Sequence, residues 1–185
     1  KIILKMNLVD LILIVLLALS VIAGYRDGFV KEFASLAGLI IGIYVALHFS
    51  DVTADFIRDF IGVSGKYLKI ISFVLTLVLV IVVFSLLGKI LESVIETIML
   101  GFLNRIAGAV FGLLKGMLIL SLVIMLLNFI KVEDKLISPN KQQGSRFYGD
   151  VKDFAPFVFR FFDLDEKMDE LRLWEKEDET SPKAV

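Results

Sequence analysis

The chain has no cysteine, one histidine and three prolines. Without cysteine there is no disulfide, no thiolate nucleophile and no cysteine-bound metal. His48 alone does not make a histidine metal cluster, and no Ser/His/Asp set can be assembled around it. An excess of charge of one sign is missing as well. Twenty cations against 21 anions leave a net charge of −1, unlike a strongly basic nucleic-acid binder. The glycines form neither GxGxxG nor GxxxxGK[ST], so a dinucleotide or phosphate loop is not indicated. An intramembrane protease would want a histidine inside its helices or an aspartate pair there, and the apolar runs hold only His48, at the end of one run, and the single Asp10. No enzymatic activity, cofactor or metal is expected.

What the chain has in abundance is apolar sequence. Of its 185 residues 57% are hydrophobic and its mean hydropathy is +0.83, against roughly 45–50% apolar in ordinary globular domains. A soluble fold of this length cannot hide so much, so a membrane is part of the solvent. Four segments approach the roughly 20 apolar residues needed to cross a bilayer: residues 8–25, 33–50, 70–88 and 106–130. Backbone groups in lipid must be paired internally, which makes these segments helices. The first is a retained span rather than a signal peptide, because Gly24-Tyr25-Arg26 is no small-x-small cleavage site. Met6-Asn7 fits a start with five residues ahead of it, and a start one residue before Lys1 fits equally.

The expected fold is an all-α membrane protein with four transmembrane helices, interfacial amphipathic helices and a partly helical C-terminal tail. Residues 1–130 form the membrane domain and residues 131–185 an extramembrane tail, which holds 10 of the 20 cations and 13 of the 21 anions. Between the first two spans, Gly24 to Glu32 reads GYRDGFVKE. It predicts a tight interfacial turn between antiparallel neighbours, with Gly24 and Gly28 ending the first helix and Arg26 and Lys31 meeting lipid phosphates. Between the second and third spans, Phe56, Ile57, Phe60 and Ile61 lie at helical spacing and predict a short interfacial helix. Lys89, Glu92, Ser93 and Glu96 form a polar stripe after the third. In the tail, Phe147, Val151, Phe154, Val158 and Phe161 recur in steps of four and three, an amphipathic aromatic stripe suited to docking. Pro156 predicts a kink there or two shorter helices.

Several residues in the spans are candidates for function. Ala34, Gly38, Gly42 and Ala46 are spaced by four, as are Gly108, Gly112 and Gly116. Such small-residue ridges let helix backbones approach closely in lipid; they pack against each other or against another subunit. Lys115 interrupts the fourth span. It either snorkels to the surface or sits in a buried ion pair with Glu92, Glu96 or Asp10 as partner. His48 reads as an interfacial residue. Ser20, Ser35, Thr76, Ser85 and Ser121 read as hydroxyls bonded to their own helix backbone.

Two stretches carry a resemblance. Asn7-Leu8-Val9-Asp10 followed by Gly24-Tyr25-Arg26-Asp27-Gly28-Phe29-Val30-Lys31-Glu32 resembles the start of colicin V production protein family members, whose first loop reads G-[YF]-[RK]-x-G-[FLA]-x-[RK]-[EQ]. Asn104 to Gly116, NRIAGAVFGLLKG, resembles the family's second landmark, R-x-x-G-x-x-F-G-x-x-[RK]-G. The resemblance covers about residues 6–130, with a weaker echo at residues 145–156. Asp27 stands where many relatives carry another basic residue. The resemblance implies a four-span protein of the bacterial inner membrane, tied to colicin V production or export and to envelope homeostasis. It transfers no catalytic or ligand residues.

Even helix number puts both termini on one side. The positive-inside count favours termini in the cytoplasm, whereas relatives fused to extracytoplasmic proteases imply the reverse, with the first loop cytoplasmic and the tail periplasmic. The functional expectation is a scaffold or accessory subunit that meets the bilayer and a protein partner or second copy through its glycine ridges and tail. The alternative is a small oligomeric channel or transporter using Lys115 and the interfacial acids. Arg26, Gly28, Lys31, Arg105 and Lys115 are the candidate functional residues.

Overall fold

The computed structural model describes residues 7–61, 68–95, 101–133, 137–162 and 164, with the side chains of 61, 85 and 87–95 outside the description. Among the described residues there are helices and no strands. Four are long: α1 (Leu8–Asp27), α2 (Phe29–Ile61), α3 (Leu68–Ile95) and α4 (Phe102–Phe129). Three short ones follow: α5 (Pro139–Gln143), α6 (Tyr148–Lys152) and α7 (Phe154–Phe161). Among the described residues three helices are long and apolar enough to cross a membrane, namely α1, α2 over Phe29–Phe60, and α4. The chain is a membrane protein by this measure. The described apolar stretch of α3 runs from Leu68 to Phe84, about 26 Å at 1.5 Å per residue.

The described residues fall into two compact units, within Lys1–Leu36 plus Glu92–Val158 and within Ala37–Leu91 plus Phe159–Val185. The first unit takes in the tail up to Val158, which the expected boundary at residue 130 would have set apart. Its main element pair is α1 on α4. They run antiparallel, since Gly24 meets Gly108 at one end while Val9 and Leu13 cluster with Ile124 at the other.

In the second unit α2 packs on α3 through the glycine ridge expected of α2. A Cβ at Gly38 would lie 2.9 Å from Phe84 Cβ, and one at Gly42 would lie 3.3 Å from Leu77 Cδ1. That ridge therefore takes bulky side chains rather than a second glycine ridge. Ala46 on the same helix is fully buried, and Ala34 is half-buried in the first unit. Thr53 and Thr76 share a hydroxyl bond of 2.7 Å, and Ala54, Ile57 and Leu68 form a small cluster beyond it.

The helix boundaries correct the sequence reading at two places. The turn expected over Arg26–Glu32 shrinks to Gly28, the one residue between α1 and α2. Arg26, Lys31 and Glu32 are good helix formers, and Lys31 bridges back to Asp27 at 3.1 Å across the break, so only the glycine leaves helical geometry. The separate helix expected after Ser50 is instead the end of α2. Ser50, Asp51 and Val52 contain no glycine or proline to stop it. Phe56 and Phe60 stay exposed and stack at 4.5 Å. The polar stripe Lys89–Glu96 falls on side chains outside the description, although α3 itself continues to Ile95.

Candidate functional site

Gly28 has φ of +80°, a conformation that favours glycine. Its N–H closes α1 on Gly24 O at 2.9 Å, and its own carbonyl accepts from Glu32 N at 3.2 Å to open α2. The first N–H groups of a helix lack partners inside it. Here Asn104, from the start of α4, accepts the Phe29 N–H through Oδ1 at 3.0 Å. An asparagine on one helix thus caps another. A Cβ on Gly28 would lie 2.6 Å from Asn104 Nδ2, so the residue is fixed by space as well as by φ.

Ser20 and Gly24 of α1, with Gly28 just past its end, follow at steps of four and face Gly108, Gly112 and Gly116 of α4. A Cβ at Gly24 would lie 2.3 Å from Gly108 O, and one at Gly112 would lie 2.5 Å from Ser20 O. The backbones touch directly. The α4 ridge is therefore spent within the chain, on a small-residue ridge of α1 that the sequence reading had assigned partly to a loop. The shared spacing of four was the signal for it.

Around this seam the side chains of the two motifs interlock. Phe111 stands edge-on to Phe29 and Phe33 at 5.0 and 5.7 Å, and those two rings are 5.6 Å apart. Lys115 Nζ lies 2.5 Å from Glu32 Oε2, with the lysine side chain 22% exposed and the glutamate 1%. That oxygen takes no well-directed hydrogen bond, so the pair is an ion contact more than an aligned bond. Lys115 is neither snorkelling free nor paired with Asp10. Its partner is Glu32, an acid the sequence reading placed in a surface turn. Arg105 lies over the Tyr25 ring at 5.9 Å. Lys31 holds Asp27, and Arg26 is exposed.

The other end of the first unit fixes the tail. Asp10, 3% exposed, accepts through Oδ1 from Ser145 Oγ, Arg146 N and Phe147 N at 2.6, 3.0 and 3.1 Å. Tyr148 and Val151 enter the cluster of Val9, Leu13 and Ile124. Ser121, expected to bond its own helix, instead donates to Lys152 O and accepts from Ala155 N, both at 2.8 Å; Ser20 and Thr76 do bond their own helix, to Leu16 O and Ser72 O. His48 likewise bonds Tyr44 O and stacks on the Tyr44 ring. Glu133, just after α4, is buried among Tyr148, Asn128 and Lys152, with Lys152 Nζ at 2.7 Å. Burial alone would raise its carboxyl. The hydrogen bonds from Lys152, Tyr148 and Asn128, with the lysine's charge, outweigh that and hold it below the usual carboxylate range.

The expected aromatic stripe of the tail is thus not one free face. Val151 is buried, Phe154 and Val158 are half-buried, and Phe147 and Phe161 are exposed. Pro156 sits in the first turn of α7, and the segment after Phe147 divides into the two short helices α6 and α7.

Nine residues at Gly24–Glu32 and thirteen at Asn104–Gly116 therefore form one three-dimensional site. A sequence model of the family described as colicin V production protein matches residues 9–156. The chain belongs to the colicin V production protein family. No curated protein and no solved structure matches it. The family match spans both motifs and also the tail contacts through Ala155, so the whole of the first unit's described packing lies inside it, apart from the ends. Among the described residues no group of three or more His, Asp or Glu is placed to hold a metal.

Proposed function

We propose that this member of the colicin V production family works as a non-enzymatic scaffold or accessory subunit of the bacterial inner membrane, supporting toxin production or export and envelope homeostasis. The observation that carries the reading is how the two motifs use their residues. Gly24, Gly28, Gly108 and Gly112 bring backbones together, Asn104 caps α2, three phenylalanines interlock, and Glu32 neutralises Lys115. These are devices for holding helices in one arrangement. With α3 as a fourth span, both termini share a side, which we assign to the periplasm with Gly28 facing the cytoplasm. Cysteine labelling at Ser145 with an impermeant reagent tests this; a tail reached only after permeabilisation would overturn it. A protein partner or second copy would be met outside the motif seam, since that seam is filled by the chain itself.

One observation favours the channel or transporter reading, namely a paired acid and base inside the span region. A charge at mid-membrane costs about 2.5–3.5 kcal/mol on insertion scales and is often functional. Complementation of a bacterial strain lacking its own copy separates the two. Glu32→Gln and Lys115→Met alone leave an unpaired buried charge, which costs about 3–5 kcal/mol, and are expected to lower colicin V release. The double variant removes both charges. If the pair only holds helices, the double variant regains what each single loses. A double variant that reaches wild-type membrane levels and stays inactive would sink the scaffold reading in favour of conduction.

A further inference from the structure

The tail's position relative to α1 and α4 has a meaning in the membrane. Tyr148 and Val151 pack against Leu13, which lies five residues inside α1, about 8 Å from its start at 1.5 Å per residue. Ser121, which bonds Lys152 O and Ala155 N, lies eight residues before the end of α4, about 12 Å along it. Both helices are long and apolar enough to span. The tail backbone therefore runs at the depth of the headgroup and acyl boundary, where interfacial helices bury by about 5–10 Å. Backbone groups there need a partner other than water, and the fully buried Ser121 hydroxyl supplies one to a carbonyl and one to an N–H at the junction of α6 and α7.

The composition of α7 fits the same depth. Ala155 and Phe159, four apart, are buried. Phe157 and Phe161, also four apart and on another face, are 64% and 78% exposed. A helix apolar on opposite faces is not one that water accommodates. At the level of α1 that the tail reaches, Leu8, Leu11 and Ile12 are exposed too, so the tail continues a surface already turned to lipid. Asp150, Asp153 and Arg160 are exposed.

We propose that α6 and α7 are an interfacial membrane element, with Phe157 and Phe161 lying against the acyl chains of the bilayer that α1 and α4 cross. The segment is then not an extramembrane docking arm, and this holds under either functional reading. The absence of cysteine allows a clean test. Full-length Phe157→Cys, Phe161→Cys and, as an aqueous control, Gln143→Cys are each labelled with an environment-sensitive nitrobenzoxadiazole dye. They are reconstituted into phosphatidylethanolamine and phosphatidylglycerol vesicles with or without a lipid carrying a nitroxide high on its acyl chain. The proposal expects the dye at 157 and 161 to be blue-shifted, to lose most of its emission to the nitroxide lipid and to resist iodide, with the dye at 143 doing the opposite. Quenching at both Phe positions by iodide would overturn it. So would shielding from both quenchers, the result for a face covered by a protein partner or a second copy. Two labelled positions keep the test decisive if one variant fails to fold.

Discussion

Gly112→Ala adds one methyl group in the middle of the α1–α4 seam, and its effect can be worked out from the neighbours. The new Cβ would lie 2.5 Å from Ser20 O and 2.9 Å from Gly24 Cα, against 3.4 Å for an ordinary contact. Both neighbours are backbone, so neither can swing away as a side chain would. The helices must part by about 1 Å, a gap that forfeits a quarter to a half of each contact's dispersion energy. Overpacking of this kind costs typically about 1–3 kcal/mol. Against it, alanine is favoured over glycine within a helix by about 1 kcal/mol. The clash outweighs the propensity, and a net loss of up to about 2 kcal/mol shifts the unfolding equilibrium by as much as roughly thirtyfold. Unfolding of the purified protein in mixed micelles, followed over a range of denaturing detergent, measures it. Gly101→Ala is the control, because nothing lies within 4 Å of its Cβ. Gly42→Ala meets only side-chain carbons, the nearest at 3.3 Å, and should fall between the two. The reasoning fails if Gly112→Ala is as stable as the wild type, for then the backbones are not in contact at this point.

Asn104→Ala removes the acceptor of the Phe29 N–H and should cost about 1–3 kcal/mol as a lost partner of a partly buried donor; faster hydrogen exchange at the Phe29 amide checks it, and unchanged exchange would refute the cross-helix cap. Ser121→Ala orphans Ala155 N and leaves Lys152 O without its donor, so cleavage of the tail by added protease should speed up while α1 and α4 stay intact. The Glu133 carboxyl is held below its ordinary value of 4.5. A group depressed on folding contributes stability above its unfolded pKa and loses it as pH falls through the folded one. Tail protection from protease should therefore be full at neutral pH and decline below about 4.5, and Glu133→Gln should flatten that part of the pH profile; a variant with an unchanged profile would assign the loss to another group.

The long helices were legible in the sequence because hydropathy is a property of each segment alone. So was the family, because Gly24–Glu32 and Asn104–Gly116 each carry their pattern locally. What was not legible depended on pairs of distant residues. Glu32 and Lys115 are far apart in the chain, and nothing near Lys115 names the acid that meets it. Gly24 and Gly28 read as turn residues because charges surround them, yet Arg26, Lys31 and Glu32 are good helix formers and only Gly28 has a positive φ. Ser121 read as a self-bonded hydroxyl for the same reason, since its partners lie beyond a change in composition at residue 131. The tail stripe was misplaced by one face. The tail residues buried along with Val151 are Tyr148, Ala155 and Phe159, whereas Phe147 and Phe161 of the expected stripe are exposed.

The seam between α1 and α4 also sets an order of events during synthesis. Gly24 leaves the ribosome 84 residues ahead of Gly108, and translation at about 5–20 residues per second makes that a wait on the order of ten seconds. Through that interval the first helix is in the bilayer with its glycine face and Asp10 uncovered, while everything that will cover them is still being made. A chain that stalls before Asn104 presents a span apolar enough to stay in the bilayer and without the α4 face on which its glycines pack.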